Sequence, residues 1–367
     1  MRYTIMAANI KMPMNPCLEP RVLQQHTDSN ASKSRWRIWV LALLISLILL
    51  AILVSQADID YLWTLWAGVQ PVYLVVGVLA VSLDCLVTGL RLRLLHLGAG
   101  KRPRVVYVKI EMLHGFLLLL LPARLGELPY MLMLRRRLSM DHGEVFANFV
   151  YQRLLDAMVL ALFFLSSVVL IVGDNEGVTT WVPIVLVVCV LFVLIFQRVE
   201  WIAAVTLRVM HRLHVRGSKF SRWLLKVLST ARRWSRRLRL EGVRWQALAW
   251  TGLRWSAVMI LTWAAFSMFG IRFGMAEVLF LGAGLSFLTV IPLQTVGGFG
   301  ISEVGLAGLL VIIGHPWQEA AATALLVRIA YVVMTLMGLA LAGVVIMLIR
   351  NRSEDARKGT FGVDSMR

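Results

Sequence analysis

Long apolar runs separated by short polar stretches recur along this chain. Six of them read as full membrane spans: Ile38–Val54, Val72–Leu90, Val145–Val172, Trp181–Phe196, Trp245–Phe269 and Gln318–Ile349. A helix rising about 1.5 Å per residue needs roughly 20 apolar residues to cross about 30 Å of hydrocarbon. The residue-by-residue alternation of a membrane β-barrel is not seen. Two further apolar regions do not fit as simple crossings. Val105–Arg137 begins and ends in basic sequence, and Ala276–Ile313 begins and ends beside loops without Lys or Arg. Each must enter the membrane and return, as a re-entrant hairpin or as a pair of short tilted spans. The expected fold is an all-α polytopic membrane protein with about six full spans and two broken helical hairpins.

The two turns resemble each other. The first reads LPARLGE, Leu121–Glu127, and the second IPLQTVGGFGISE, Ile291–Glu303. Each has Pro after an aliphatic residue, then Gly, then Glu. Pro122 and Pro292 break the helix, and Gly126, Gly297, Gly298 and Gly300 permit the turn and close backbone approach. Ser302 is placed to cap the outgoing helix, with Glu303 in its first turn. An arginine follows each glutamate at similar spacing, Arg153 after Glu127 and Arg328 after Glu303. One turn enters from the basic side and the other from the opposite side, the arrangement of an inverted repeat with broken helices meeting near the midplane.

Charge distribution sets the orientation. The formal net charge of +18 is concentrated in particular loops: 33–37, 91–104, 135–137, 198–244 and the tail from Arg350. The loops 55–71, 173–180 and 314–317 carry no Lys or Arg. By the positive-inside rule both termini are cytoplasmic, and a multi-pass protein of the cell inner membrane is expected. The division that follows is a disordered cytoplasmic tail over 1–35 and a first membrane half over 36–197, with its tip at 122–127. A basic linker over 198–244 leads to a second half over 245–349, with its tip at 292–303, and a cytoplasmic tail over 350–367.

Composition supports the class. Of 367 residues, 59% are hydrophobic, where a soluble domain is nearer half. About 35 mostly polar residues precede the first apolar run, the wrong order for a cleavable signal peptide. Cys17, Cys85 and Cys189 are scattered, giving neither a disulfide frame nor a CxxC metal site. No metal or other cofactor is expected.

The candidate chemistry lies in the buried charges. Arg153 falls about 12 Å and Arg328 about 15 Å into their helices at the standard rise. With Glu127, Asp156 and Glu303, they would cost on the order of 10 kcal/mol or more if they faced lipid. They are expected to face a protein interior or a polar cavity, with Glu127 paired to Arg153 and Glu303 to Arg328. Asn148, Gln152 and Asp156 share one helix face. Arg124, Glu127, Arg153, Asp156, Glu303 and Arg328 are therefore the candidate substrate-binding set, either as structural pins or as the lining of a head-group cavity. Glu111 and His114, three apart, read as a locally satisfied pair or as part of that lining. Asp84 and Arg254 lie toward span ends and read as snorkelling residues.

Within the linker, Phe220, Trp223, Leu224, Val227, Trp234 and Leu238 follow helical spacing among basic residues. This predicts an amphipathic helix on an anionic leaflet, with Lys219, Arg222, Trp223, Lys226 and Trp234 at the membrane surface. Nucleic acid is not an expected partner.

LPARLGELPYMLMLRRRLSM followed by VYQRLLDAMVL, and IPLQTVGGFGISEVGLAGLL followed by ALLVRIAYV, resemble the transmembrane region of the lysyl-phosphatidylglycerol synthase/flippase family. The resemblance spans about Val72 to Leu348. It implies translocation of a lipid between leaflets, with an anionic or zwitterionic head group, and marks Pro122, Gly126, Glu127, Arg153, Asp156, Gly297, Gly298, Gly300 and Glu303 as motif positions. The bifunctional members append a soluble aminoacyl-transferring domain, which does not follow here, so lipid aminoacylation is not expected. Two other functions remain open: a membrane-embedded lipid-modifying enzyme using Glu127 and Asp156 as acid and base, and an accessory or scaffold protein of a lipid or glycan synthase. No catalytic motif is recognised.

Overall fold

A proline at the first helical position, where its missing N–H costs nothing, opens the most central helix of the fold at Pro71. The computed structural model describes residues 44–97, 102–121, 125–172, 219–288 and 300–364, with isolated residues 183, 187, 191 and 205. All regular structure among them is helical: α1 (Leu44–Gln56), α2 (Ile59–Ala67), α3 (Pro71–Leu95), α4 (Arg104–Leu120), α5 (Glu127–Leu138), α6 (His142–Val172), α7 (Lys219–Leu240), α8 (Val243–Ser267), α9 (Met275–Leu288), α10 (Ile301–Ile312) and α11 (Trp317–Asp364). The tip residues Pro122, Arg124, Pro292, Gly297 and Gly298 lie outside the described residues, as do the 1–35 tail and nearly all of the expected span Trp181–Phe196.

Among the described residues, three helices are long and apolar enough to cross a membrane: α3, α6 and α11. The pair α1 and α2, bent by 88° at the break, makes a fourth if taken as one interrupted span. The bend corrects the expectation of a plain loop over 55–71. Asp58 starts α2 by accepting a hydrogen bond from the Tyr61 N–H at 3.0 Å, and Leu65 on its inner face joins the core. The last helix also departs from expectation, because α11 continues past residue 350 to Asp364 without a break.

Lipid exposure is written on α3. Val72, Val75, Leu79 and Leu83 lie on one stripe and are all exposed, at the spacing of a single helix face. In water such a stripe would be a liability; in hydrocarbon it is the solvated face. The opposite face packs on α4, α8 and α11. Small residues allow that approach, as they do generally between membrane helices. A Cβ on Gly338 would lie 2.5 Å from Val81 Cβ and 2.9 Å from the Val78 carbonyl oxygen. At this contact the Ser82 hydroxyl donates across the interface to the Gly338 carbonyl at 2.9 Å. The main core is rich in alanine, with Ala264, Ala265, Ala320, Ala321 and Ala324 all buried beside Phe266 and Leu281.

The linker helix α7 forms where its periodicity placed it, but its apolar face is not free. Trp234 and Leu238 are buried among Leu95, Tyr151, Leu155 and Ala247, and Trp234 meets Tyr151 edge-to-face at 5.4 Å between centroids. The placement of Trp234 at the membrane surface is therefore corrected: protein, not lipid, covers this face. Arg232, Arg233, Arg236 and Arg237 are exposed on the outer side. Lys219, Arg222, Trp223 and Lys226 belong to the helical backbone of α7, and their side chains lie outside the described residues.

Candidate functional site

The inbound arm α4 ends at Leu120, because Leu121, the residue before a proline, takes an extended backbone, with φ −93° and ψ 134°, instead of the α region. The outgoing arm α5 starts at Glu127. Gly126 between them has φ −60° and ψ −20°, ordinary for any residue. What requires glycine is space, since a Cβ there would sit 3.0 Å from the Leu117 backbone. In the second hairpin Gly300 does need its freedom, with φ +92° and a would-be Cβ 2.9 Å from Leu49 Cβ. Its N–H donates to the Glu303 carboxylate at 2.5 Å. Glu303 itself thus caps α10, in place of the expected Ser302, which sits inside the helix.

Each hairpin's glutamate meets an arginine on the next long helix. Arg153 Nη2 on α6 donates to Glu127 Oε1 at 2.6 Å. Arg328 Nε on α11 lies 3.0 Å from Glu303 Oε1. The two pairs differ in access: Glu303 is 1% exposed and Arg153 35%. Phe149 also lies beneath the Arg153 guanidinium, 5.1 Å from its centroid.

Around the first pair lies a larger network centred on Asp156. Its Oδ1 receives Arg91 Nη1 from α3 at 2.7 Å and the Trp255 indole N–H from α8 at 3.2 Å. Arg254 Nη1, also from α8, is 2.8 Å away. Arg91 extends the network, donating to Thr251 Oγ1 and Gln152 Oε1, each at 3.0 Å. Gln152 donates to the Tyr130 hydroxyl at 3.2 Å, and that hydroxyl donates to Glu111 Oε1 at 2.9 Å. Glu111 also faces His114 Nδ1 at 3.5 Å, and His114 stacks on Tyr130 with centroids 4.1 Å apart. Arg254 reaches a second carboxylate, with its Nε 3.3 Å from Asp84 Oδ1. Side chains from α3, α4, α5, α6 and α8 thus form one hydrogen-bonded and ion-paired cluster, each buried charge facing an opposite one as burial demands.

Three charged members were missed or misread in the sequence, and the neutral Tyr130, Thr251 and Trp255 were not singled out. Arg91 borders the basic stretch before α4 and reads as cytoplasmic, yet it is among the most buried large side chains. Asp84 and Arg254 read as separate snorkelling residues, but they pair with each other. For Asp84 and Arg254 the signal is a charge inside an apolar run, which makes a partner mandatory; what cannot be read is which partner. Among the described residues no group of His, Cys, Asp and Glu is arranged to hold a metal.

A chain whose described regular structure is all helical, with long exposed apolar faces and a buried ion-pair cluster, is a multi-pass membrane protein. The chain belongs to the lysylphosphatidylglycerol synthase transmembrane-region family, whose model matches residues 39–338. No curated protein and no solved structure matches it. The family ties this membrane protein to lipid synthesis or lipid flipping.

Proposed function

We propose that the chain is a translocase that moves a phospholipid or related polar lipid between the leaflets of the membrane. The observation that carries this reading is the repeated pair, Glu127 with Arg153 and Glu303 with Arg328, each joining the outgoing arm of a hairpin to the long helix after it. In this reading the two halves are an inverted repeat, α3–α6 against α8–α11. Their packing supports it. α3 lies against α8, α4 lies against α11 of the other half, and α9 lies against α6. Helices broken at membrane depth are tolerated where they line a cavity or are buried in protein, and transporters place substrate there.

Arg153, Arg328 and, at the undescribed tip, Arg124 would hold an anionic phosphate, for which guanidinium geometry is suited. Glu127 and Glu303 would release their arginines to the head group and receive any cationic part of it. Asp156 is committed to Arg91 and Arg254, so its contribution is to position them. The protein is then a transporter and not an enzyme. The Lys and Arg asymmetry of the loops supports an inner-membrane protein with both termini cytoplasmic.

Proteoliposomes containing head-group-labelled lipids of several classes test the reading with wild type, Glu303→Gln and Arg153→Ala. Protein-dependent flipping that both folded variants lose is the expected result. Flipping unchanged in both would make the pairs structural pins, and absence of flipping for every class would favour the enzyme or scaffold functions.

A further inference from the structure

A cavity of about 60 Å³ lies between α3, α8 and α11, at the seam of the two proposed halves, and its walls include Ala80, Asp84, Ala257, Leu261, Tyr331 and Thr335. A water molecule needs roughly 10–15 Å³ of such space and two or more polar partners. The cavity therefore has room for about four waters, with the Asp84 carboxylate, the Tyr331 hydroxyl and the Thr335 hydroxyl to hold them.

Asp84 and Asp156 compete for one guanidinium, and they hold it unequally. Asp156 lies 2.8 Å from Arg254 Nη1 and is also held by Arg91 and Trp255. Asp84 lies 3.3 Å from Arg254 Nε and accepts a 3.4 Å bond from Thr88. Its side chain keeps 31% of its surface accessible, against 8% for Asp156. Of the two carboxylates, Asp84 is the one that can let go of the arginine and the one that lines the cavity. The charged and titratable groups facing it are Arg91 on its own helix, Glu111 on α4, Asp156 on α6, Arg254 on α8, and Tyr331 with Arg328 behind it on α11.

We infer that Asp84 is a proton-coupling site served by this cavity, and that its protonation frees Arg254 to take an anionic head group. A hydronium in the cavity gives its proton to an Asp84 oxygen and leaves water and a neutral carboxylic acid. The group of Asp84, Asp156, Arg91 and Arg254 then passes from balanced charge to a net positive one. Arg254 stays anchored through Asp156 while its Nε is released, and an arriving phosphate oxygen restores balance. When the lipid leaves, Asp84 returns its proton to cavity water and regains Arg254. Proton uptake and anionic-lipid binding are linked because both act on the same guanidinium. This inference rests on the transport reading for its purpose but not for the site itself.

The full chain in phosphatidylcholine vesicles, titrated from mildly acid to mildly alkaline pH by infrared difference spectroscopy, tests the site. A protonated-carboxyl band should appear on acidification, be absent in Asp84→Asn, and persist in Asp60→Asn on exposed α2. No titrating band, or the same band in Asp84→Asn, overturns the inference. Ala257→Val fills the cavity without touching Asp84 and keeps the test open if Asp84→Asn does not fold. It should slow deuterium exchange of the band several-fold, and unchanged exchange would overturn the role of the cavity. With phosphatidylglycerol as the flipped probe, an imposed pH gradient should change the wild-type rate several-fold and leave Asp84→Asn insensitive. A band without flipping would sink the transport reading and leave the proton site standing, whereas flipping without the band would sink the proton site alone.

Discussion

Asp156 accepts the Arg91 guanidinium at 2.7 Å, although 65 positions separate the two residues and one was expected in a cytoplasmic loop. The contact fastens α3 to α6 and, through Arg254, both to α8. It makes Asp156 the structural centre of the polar cluster.

Asp156→Ala leaves Arg91 and Arg254 buried without their shared counter-charge. Breaking a buried pair from one side costs about 3–5 kcal/mol. Thermal unfolding in detergent should fall by many degrees, or the protein should fail to accumulate. Arg153→Ala acts on a less buried pair with one partner, Glu127, at short range, and should cost less than Asp156→Ala by the same measurement. Equal losses for the two variants would contradict the ranking.

Gly338 should tolerate no side chain. Gly338→Val places carbon against Val81 and the Val78 carbonyl, and overpacking of this kind costs about 1–3 kcal/mol. Gly308→Ala is the internal control, because nothing lies within 4 Å of a Cβ there. In the interior of α10 that change should be neutral or gain up to about 1 kcal/mol from helix propensity. Parallel melting curves of the two variants decide it.

Trp234→Ala separates a buried tryptophan from a lipid-surface one. Removing a buried Trp costs about 3–5 kcal/mol, so the melting temperature in detergent should drop. Replacing the exposed Arg236 and Arg237 by Gln should change stability by no more than about 0.5 kcal/mol. A Trp234 variant that melts like wild type would restore the surface placement.

Gly300→Ala must force a side chain into φ +92° beside Leu49. Strain of that kind costs about 1–3 kcal/mol. Because Glu303 caps α10 through the Gly300 N–H, the variant should also loosen the start of α10. Hydrogen exchange at the first turn of α10 should rise more than at α3.

Much of the fold was legible in order along the chain. Apolar runs located α3, α6 and the membrane part of α11, because burial in hydrocarbon demands a long uninterrupted stretch. Spacing in the linker located α7. The glutamates at 127 and 303 and the arginines at 153 and 328 were legible as partners, since each pair sits in matching places after a similar turn. The bend before α2 was not legible, because Ile59–Ala67 is too short for its periodicity to outweigh the acidic residues beside it.

The sequence by itself determined that this chain is helical, that it lives in a membrane, and that charges inside its apolar runs must find partners. Those conclusions follow from local composition and from the cost of an unpaired charge in hydrocarbon, and neither needs a neighbour to be known. Only the tertiary structure decided which charges meet. Arg91, Asp156 and Arg254 come from three distant helices, and Asp84 lies about two turns before Arg91 on α3. Their meeting depends on how closely glycine and alanine faces let those helices approach. The same packing turned Trp234 inward, because the apolar stripe of α7 found α6 and α8 to cover it. Periodicity shows that a helix has a face to bury, and the assembled fold decides against what.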